Sequence, residues 1–89
     1  MTAELRKDPE FAAEYLRAAL EDGDPEILLI ALRRLAEAQG GVAKVAKAAG
    51  IQRESLYRAL SSRGNPRLTT LMAVIRAVGY KLTVEPNRI

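Results

Sequence analysis

Val42-Ala43-Lys44-Val45-Ala46-Lys47-Ala48-Ala49-Gly50-Ile51-Gln52-Arg53-Glu54-Ser55-Leu56-Tyr57-Arg58-Ala59-Leu60 is the stretch whose reading decides the fold. Apolar residues recur at helical spacing on both sides of Gly50, which predicts two short helices, about Val42 to Ala49 and about Arg53 to Ser61, meeting at a tight turn. Helices that cross steeply over a short connection need a small side chain at the crossing, and Ala46 supplies it. A chain reversal after a helix favours the left-handed backbone region, where a Cβ is strained, so glycine at position 50 fits the turn. Val45, Ala49, Ile51, Leu56 and Ala59 then fall inside. Lys44, Lys47, Gln52, Arg53, Glu54, Tyr57 and Arg58 fall outside, and most of them carry the chemistry that reads duplex DNA. A plain helical hairpin with a basic solvated face is the alternative. The DNA-reading unit is preferred because the small residue, the turn glycine, the apolar positions and the exposed Arg/Gln set agree at once.

Towards the N-terminus, Gly40 and Gly41 stop a helix that Asp24 caps and that runs from Pro25 to about Gln39. Its apolar residues, Ile27 to Leu32 with Leu35 and Ala36, are wider than one core-facing stripe requires, so either the preceding helix or a dimer partner covers the excess. Glu26, Arg33, Arg34 and Glu37 read as its solvated face. The preceding helix is expected from about Pro9 to Asp22, with Asp8 as N-cap and Phe11, Tyr15, Ala18 and Ala19 as its apolar stripe. Capping accounts for the aspartates of the Asp22-Gly23-Asp24-Pro25 turn, which lacks the ligand pattern of a calcium loop.

Towards the C-terminus, a helix from about Leu68 to Val78 ends at Gly79, and the period then changes from helical to two. Tyr80, Leu82 and Val84 alternate with Lys81, Thr83 and Glu85 before Pro86, which predicts a strand. A lone strand has no partner in a helical chain. If two copies pair antiparallel about Thr83, Lys81 lies opposite Glu85 and Tyr80, Leu82 and Val84 face the two cores; pairing with Ala3 to Arg6 of the same chain is the alternative.

The 89 residues, 48 % hydrophobic and 28 % charged, suit one small domain spanning 1–89. A chain this short buries only about 60–65 % of its unfolded surface, so association would help it. With no cysteine and no histidine, disulfides, the usual zinc spacings, Cys-His pairs and Ser-His-Asp triads are excluded. A Lys, Ser or carboxylate mechanism stays formally open, but the expectation is a non-enzyme without cofactors or metals. Residues 1–40 carry five basic and nine acidic side chains, a net −4, and residues 41–89 carry nine and two, a net +7. The basic half suggests a polyanion; the acidic half suggests solubility or a basic protein partner. The longest apolar run, Ile27 to Leu32, is far below the ~20 residues of a membrane span, and no signal peptide is evident, so a cytoplasmic protein with no membrane partner is expected.

The chain resembles the lambda-repressor-like, Xre/Cro-type helix-turn-helix proteins and, more narrowly, the addiction-module antidote (antitoxin) family. The resemblance is carried by Asp8-Pro9-Glu10-Phe11-Ala12, Tyr15-Leu16, Glu21-Asp22-Gly23-Asp24-Pro25, Gly50 through Ser61, Gly64-Asn65-Pro66 and Leu68 through Gly79. The Gly50–Ser61 block with its Gly-Asn-Pro tail is the specific part. The resemblance implies an all-α, five-helix lambda-repressor-like domain, here with a short C-terminal β-strand, acidic N-terminal helices over 1–40, the helix-turn-helix over 42–61 and the strand over 80–85. It also implies a DNA-binding regulator of its own operon paired with a small toxin, often a ribonuclease. Gln52 stands where Ser or Thr is usual at the helix start, and Val42 where some relatives place a polar side chain that touches DNA.

On such a recognition helix the first turn and the next enter the major groove, which selects Gln52, Arg53, Glu54, Tyr57 and Arg58. Arg53 is the first choice for base readout, since losing a bidentate guanine contact typically costs about 1–3 kcal/mol. Gln52 reads adenine or bonds phosphate; Glu54 complements the helix dipole in preference to accepting from cytosine. Ser55, Lys44, Lys47, Ser62, Arg63 and Arg67 are placed for phosphate. The Ser61–Asn65 loop, with backbone donors and little bulk, is suited to approach the DNA backbone. The expected partners are therefore an operator palindrome in double-stranded DNA, a second copy and a toxin. The competing readings are a module that masks its toxin with DNA binding secondary, and a solitary regulator.

Overall fold

Aspartate and proline punctuate the N-terminal half, and glycine the rest. The computed structural model describes residues 2–87; Met1, Arg88 and Ile89, the ends of the expected 1–89 domain, lie outside the described residues. Six helices follow in order: α1 (Thr2–Lys7), α2 (Pro9–Asp22), α3 (Pro25–Ala38), α4 (Val42–Ala49), α5 (Arg53–Ala59) and α6 (Leu68–Ala77). Asp8 starts α2 by accepting the Phe11 N–H at 3.1 Å, and Asp24 starts α3 by accepting the Glu26 N–H at 3.0 Å. In both helices proline follows the cap, where its missing N–H costs nothing.

α3 and α4 are the hubs. α1 and α2 pack on α3 and on each other, α3 packs on α4, and α4 carries α5 and α6. That arrangement explains the breadth of the apolar surface on α3: Leu29, Ala31, Leu32, Leu35, Ala36 and Ala38 are all buried beneath three neighbours. One hydrophobic cluster runs from Leu5 of α1 through Leu32 and Leu35 to Leu56, Leu60, Val74, Ile75 and Val78. A fully buried Leu of this kind contributes about 1.5–3 kcal/mol through the apolar area it removes from water.

Several expectations are corrected. Among the described residues there are six helices rather than five, because Leu5 anchors the additional α1 in the core at 2 % exposure. The stripe of α2 is rotated: Ala12, Leu16 and Ala19 are buried and Tyr15 is half-buried, while Phe11 is 38 % exposed and Ala18 is exposed. Both sets have helical spacing, and the small Ala12 and Ala19 are the ones against the neighbouring helices, with Phe11 left at the rim. The helices end at Ala38, Ala59 and Ala77, slightly short of the expected Gln39, Ser61 and Val78, where capping turns take over.

The largest correction concerns Tyr80, Lys81, Leu82, Thr83, Val84 and Glu85: no strand forms there, or anywhere among the described residues. A strand exists only as a paired element, and the intrachain candidate, Ala3 to Arg6, is itself helical. Of these residues, Tyr80 is the one packed against the core of its own chain. It is half-buried against the cluster, and its hydroxyl donates to the Pro9 carbonyl at 3.1 Å, tying the start of the tail to the start of α2. Leu82 is 40 % and Val84 99 % exposed.

Candidate nucleic-acid interface

α4 presents two faces. Val42, Val45 and Ala46 are buried, and Lys44 and Lys47, one turn apart, are exposed. Ala46 is 1 % exposed, as a crossing residue must be. The helix ends at Gly50, at φ 72° and ψ 30° in the left-handed region. The Gly50 N–H donates to Lys47 at 3.3 Å and the Ile51 N–H to Ala46 at 2.9 Å, the paired bonds that satisfy the last carbonyls of a helix and turn the chain. A Cβ at position 50 would meet no atom, so the demand for glycine there is conformational rather than steric.

α5 then starts at Gln52, whose backbone is extended and whose side chain makes no cap bond. Leu56 is fully buried, and Ser55, Ala59 and Ile51 are half-buried. Gln52, Arg53, Glu54, Tyr57 and Arg58 are all exposed, Tyr57 at 53 %, so the sequence-derived groove-facing set shares the outer side of α5. Arg53 and Glu54 make a 3.6 Å ion pair with both side chains exposed, a contact that salt screens and that leaves the guanidinium able to exchange partners. Glu54 also sits in the first turn, where its charge complements the helix dipole.

Of the residues assigned to phosphate, Lys44 and Lys47 project from α4, and Ser62, Arg63 and Arg67 are exposed on the connection from α5 to α6. Ser55 is half-buried, so it offers less to a ligand than its neighbours. The connection is shaped by Gly64: a Cβ there would collide with the Ala59 carbonyl, and its N–H donates to the Ser61 carbonyl at 2.8 Å. The small residue therefore serves the chain's own packing against the end of α5, a role that sequence spacing did not disclose.

A basic side chain absent from the sequence-derived set is Arg6. Through α1 it borders a notch with Glu37, Gln39 and Lys44, where the Lys44 stem lies against Gly40. No local signal marked it, because a six-residue helix has no periodicity to read. In the tail, Lys81, Leu82, Thr83 and Glu85 are exposed along a separate groove beside α2. Asp22 and Asp24 are engaged in backbone bonds of the α2–α3 turn, and no three His, Cys, Asp or Glu side chains are grouped for a metal among the described residues. Among those residues no helix is long and apolar enough to cross a membrane.

Comparison with known proteins bears on most of the chain. A protein of Haemophilus influenzae, named only as an uncharacterized protein, is 39 % identical over 74 residues, which is 83 % of this chain and 75 % of that protein. No solved structure matches. The family model described as "probable addiction module antidote protein" matches residues 1–86, and the match takes in the acidic helices, the α4–α5 unit and the tail. On that extent of similarity, the chain belongs to the addiction module antidote family.

Proposed function

We propose that this chain is the antitoxin of a toxin–antitoxin module and works as a non-catalytic, sequence-specific DNA-binding regulator that represses its own operon as a dimer. Family membership supports the antitoxin role. The DNA reading is carried by one observation: α4, Gly50 and α5 form two helices across a left-handed glycine turn, with Gln52, Arg53, Glu54, Tyr57 and Arg58 exposed together on α5. We read this pair as a helix-turn-helix of the Xre/Cro type, in which the second helix enters the major groove. Arg53 is assigned to base readout, Gln52, Tyr57 and Arg58 to the groove beside it, and Lys44, Lys47, Ser62, Arg63 and Arg67 to phosphates. Two copies with half-sites about 34 Å apart would read a palindrome.

The test is binding to DNA upstream of the protein's own gene, measured by fluorescence anisotropy over a salt series. Arg53→Ala relaxes sequence preference, with a loss of about 1–3 kcal/mol on the preferred site only. Lys47→Ala weakens all sequences alike and lowers the salt slope by roughly 0.9. Operator binding untouched by both substitutions would reject this recognition face.

A second reading, a module that masks its toxin with DNA binding secondary, is favoured by the surface of α2 and α3. Glu10, Glu14, Glu21, Asp22, Asp24 and Glu26 are exposed there, together with Phe11, Leu20 and Ile27 at 38–42 % exposure. Such a surface suits a basic protein with an apolar contact patch. On this reading, Glu10→Lys with Glu21→Lys, both at exposed positions, weakens toxin binding more than DNA binding.

A further inference from the structure

The fold sets a cation of the acidic half beside the α4–α5 unit. Residues 1–40 carry a net −4, and Arg6 is one of their five basic side chains. Leu5, 2 % exposed, fixes the rotation of α1 against the core, and its neighbour Arg6 stands exposed at the edge of that contact. α1 packs on α3 and α3 on α4. Where these helices meet is a notch of about 380 Å³, bordered by Arg6, Glu37, Ala38, Gln39, Gly40 and Lys44.

Lys44 lies along this notch. A Cβ at Gly40 would stand 2.7 Å from the Lys44 Cδ and 3.4 Å from its Nζ, so the lysine stem crosses the glycine and the ammonium rests against it. Two cations from helices far apart in sequence thus line one opening. Glu37 is the single carboxylate among the bordering residues, so the rim carries two positive charges and one negative, a net +1. Arg6, Lys44 and Glu37 make no ion pair with one another among the described residues. The Arg6 guanidinium offers a planar fork of donors, Lys44 three more, and Gln39 an amide NH2, a set suited to the oxygens of a phosphate.

Position decides which phosphate. In a helix-turn-helix on DNA the first helix crosses the sugar–phosphate backbone while the second lies in the groove. Lys44 and Lys47 mark the exposed side of that first helix, and Lys44 is also a wall of the notch. We propose that a backbone phosphate of the operator enters the notch between Arg6 and Lys44, so that α1, which lies outside the helix-turn-helix, forms part of the DNA interface. This contact rests on the repressor reading and extends its footprint onto the acidic half. A phosphate contact adds affinity without sequence choice. Because both cations neutralise the same phosphate, their contributions to the salt dependence are shared rather than summed.

The test is fluorescence anisotropy with the full chain over a salt series, on the duplex upstream of its gene and on a scrambled duplex of equal length. The variants are Arg6→Gln, Arg6→Lys, Arg6→Gln with Lys44→Gln, and Arg17→Gln. Arg6→Gln is expected to weaken both duplexes by about fivefold, and Arg6→Lys, which keeps the charge, to recover most of that loss. The double substitution lowers the salt slope by about 0.9, the value for one phosphate, rather than about 1.8. Arg17→Gln removes the same charge from α2, on the border of the separate groove, and leaves affinity and slope at wild-type values. Arg6 is exposed, so circular dichroism of its variants stays as in the wild type. Arg6→Gln that binds as tightly as the wild type, Arg17→Gln that weakens binding as much as Arg6→Gln, or a double substitution that lowers the slope by about 1.8 would each overturn the inference and leave the repressor reading intact. A wild-type chain that binds neither duplex would reject the repressor reading and this contact with it.

Discussion

The α4–α5 unit and the tail after Gly79 both carry a regular apolar pattern, helical in the first and alternating in the second, yet only the first is realised within the chain. The difference lies in where each element finds its hydrogen bonds. A helix closes its backbone bonds within its own segment, so eight residues of α4 and seven of α5 need only a neighbour to cover their apolar side. A strand needs a second segment beside it, and the intrachain candidate, Ala3 to Arg6, is helical. The same sequence signal thus describes a finished element in one region and an unfilled valence in the other.

Substitution of one apolar residue in each region gives the sharpest contrast. Leu56→Ala, at a fully buried position, costs about 2–5 kcal/mol in urea unfolding. Val84→Ala, measured at concentrations dilute enough to keep the chain monomeric, changes stability by less than about 0.5 kcal/mol. Comparable losses at the two positions would erase the distinction drawn between them. Gly50→Ala is the next largest effect. It forces a Cβ into the left-handed region at φ 72° and costs about 1–2 kcal/mol, with no steric contribution because the space around it is open. A neutral Gly50→Ala would show that the turn can relax to another conformation.

A gain is expected at Gln52. Its backbone is already in the extended conformation of an N-cap but its side chain makes no cap bond, so Gln52→Ser stabilises the chain by about 0.5–1 kcal/mol in the same unfolding assay. If the same substitution weakens operator binding, the absent cap reflects a side chain kept for the groove. The smallest effect belongs to the joint between the tail and the body. Tyr80→Phe removes the bond to the Pro9 carbonyl and costs about 0.5–1 kcal/mol. Burial, with the nearby Asp8 and Glu10 carboxylates, raises the Tyr80 pKa above its ordinary value. The folded chain therefore holds this proton more tightly than the unfolded one, and the contribution of Tyr80 is complete below the ordinary phenol pKa and lost as pH rises through the higher folded value. Alkaline titration followed by tyrosine absorbance checks the direction, and Tyr80→Phe removes that part of the pH dependence.

The fold was legible where the chain announces its boundaries. Asp8-Pro9, Asp24-Pro25 and Gly50 each combine a cap or stop with a preset backbone angle, and the structure uses all three in those roles. The outer face of α5 was legible for the same reason, since a fixed turn and one buried Leu determine which residues point away. α1 was not, because a six-residue helix is held by Leu5 inserting into the core rather than by any pattern of its own. Nor was the exposure of Phe11, because neighbouring positions on α2 offered two stripes of equal spacing, and only packing against α1 and α3 decides between them. Gly64 looked like a loop residue chosen for small bulk and is a contact residue against the end of α5. In each case the missing information was tertiary.

The most direct test of the account is selection from a random pool of duplex DNA by the full chain at near-physiological salt, with sequencing of what is retained. The account predicts enrichment of a two-half-site palindrome, lost at the specified bases when Arg53 is replaced by Ala. A protein shown to be folded that enriches no sequence, or whose enriched sequence is unchanged by Arg53→Ala, would contradict it.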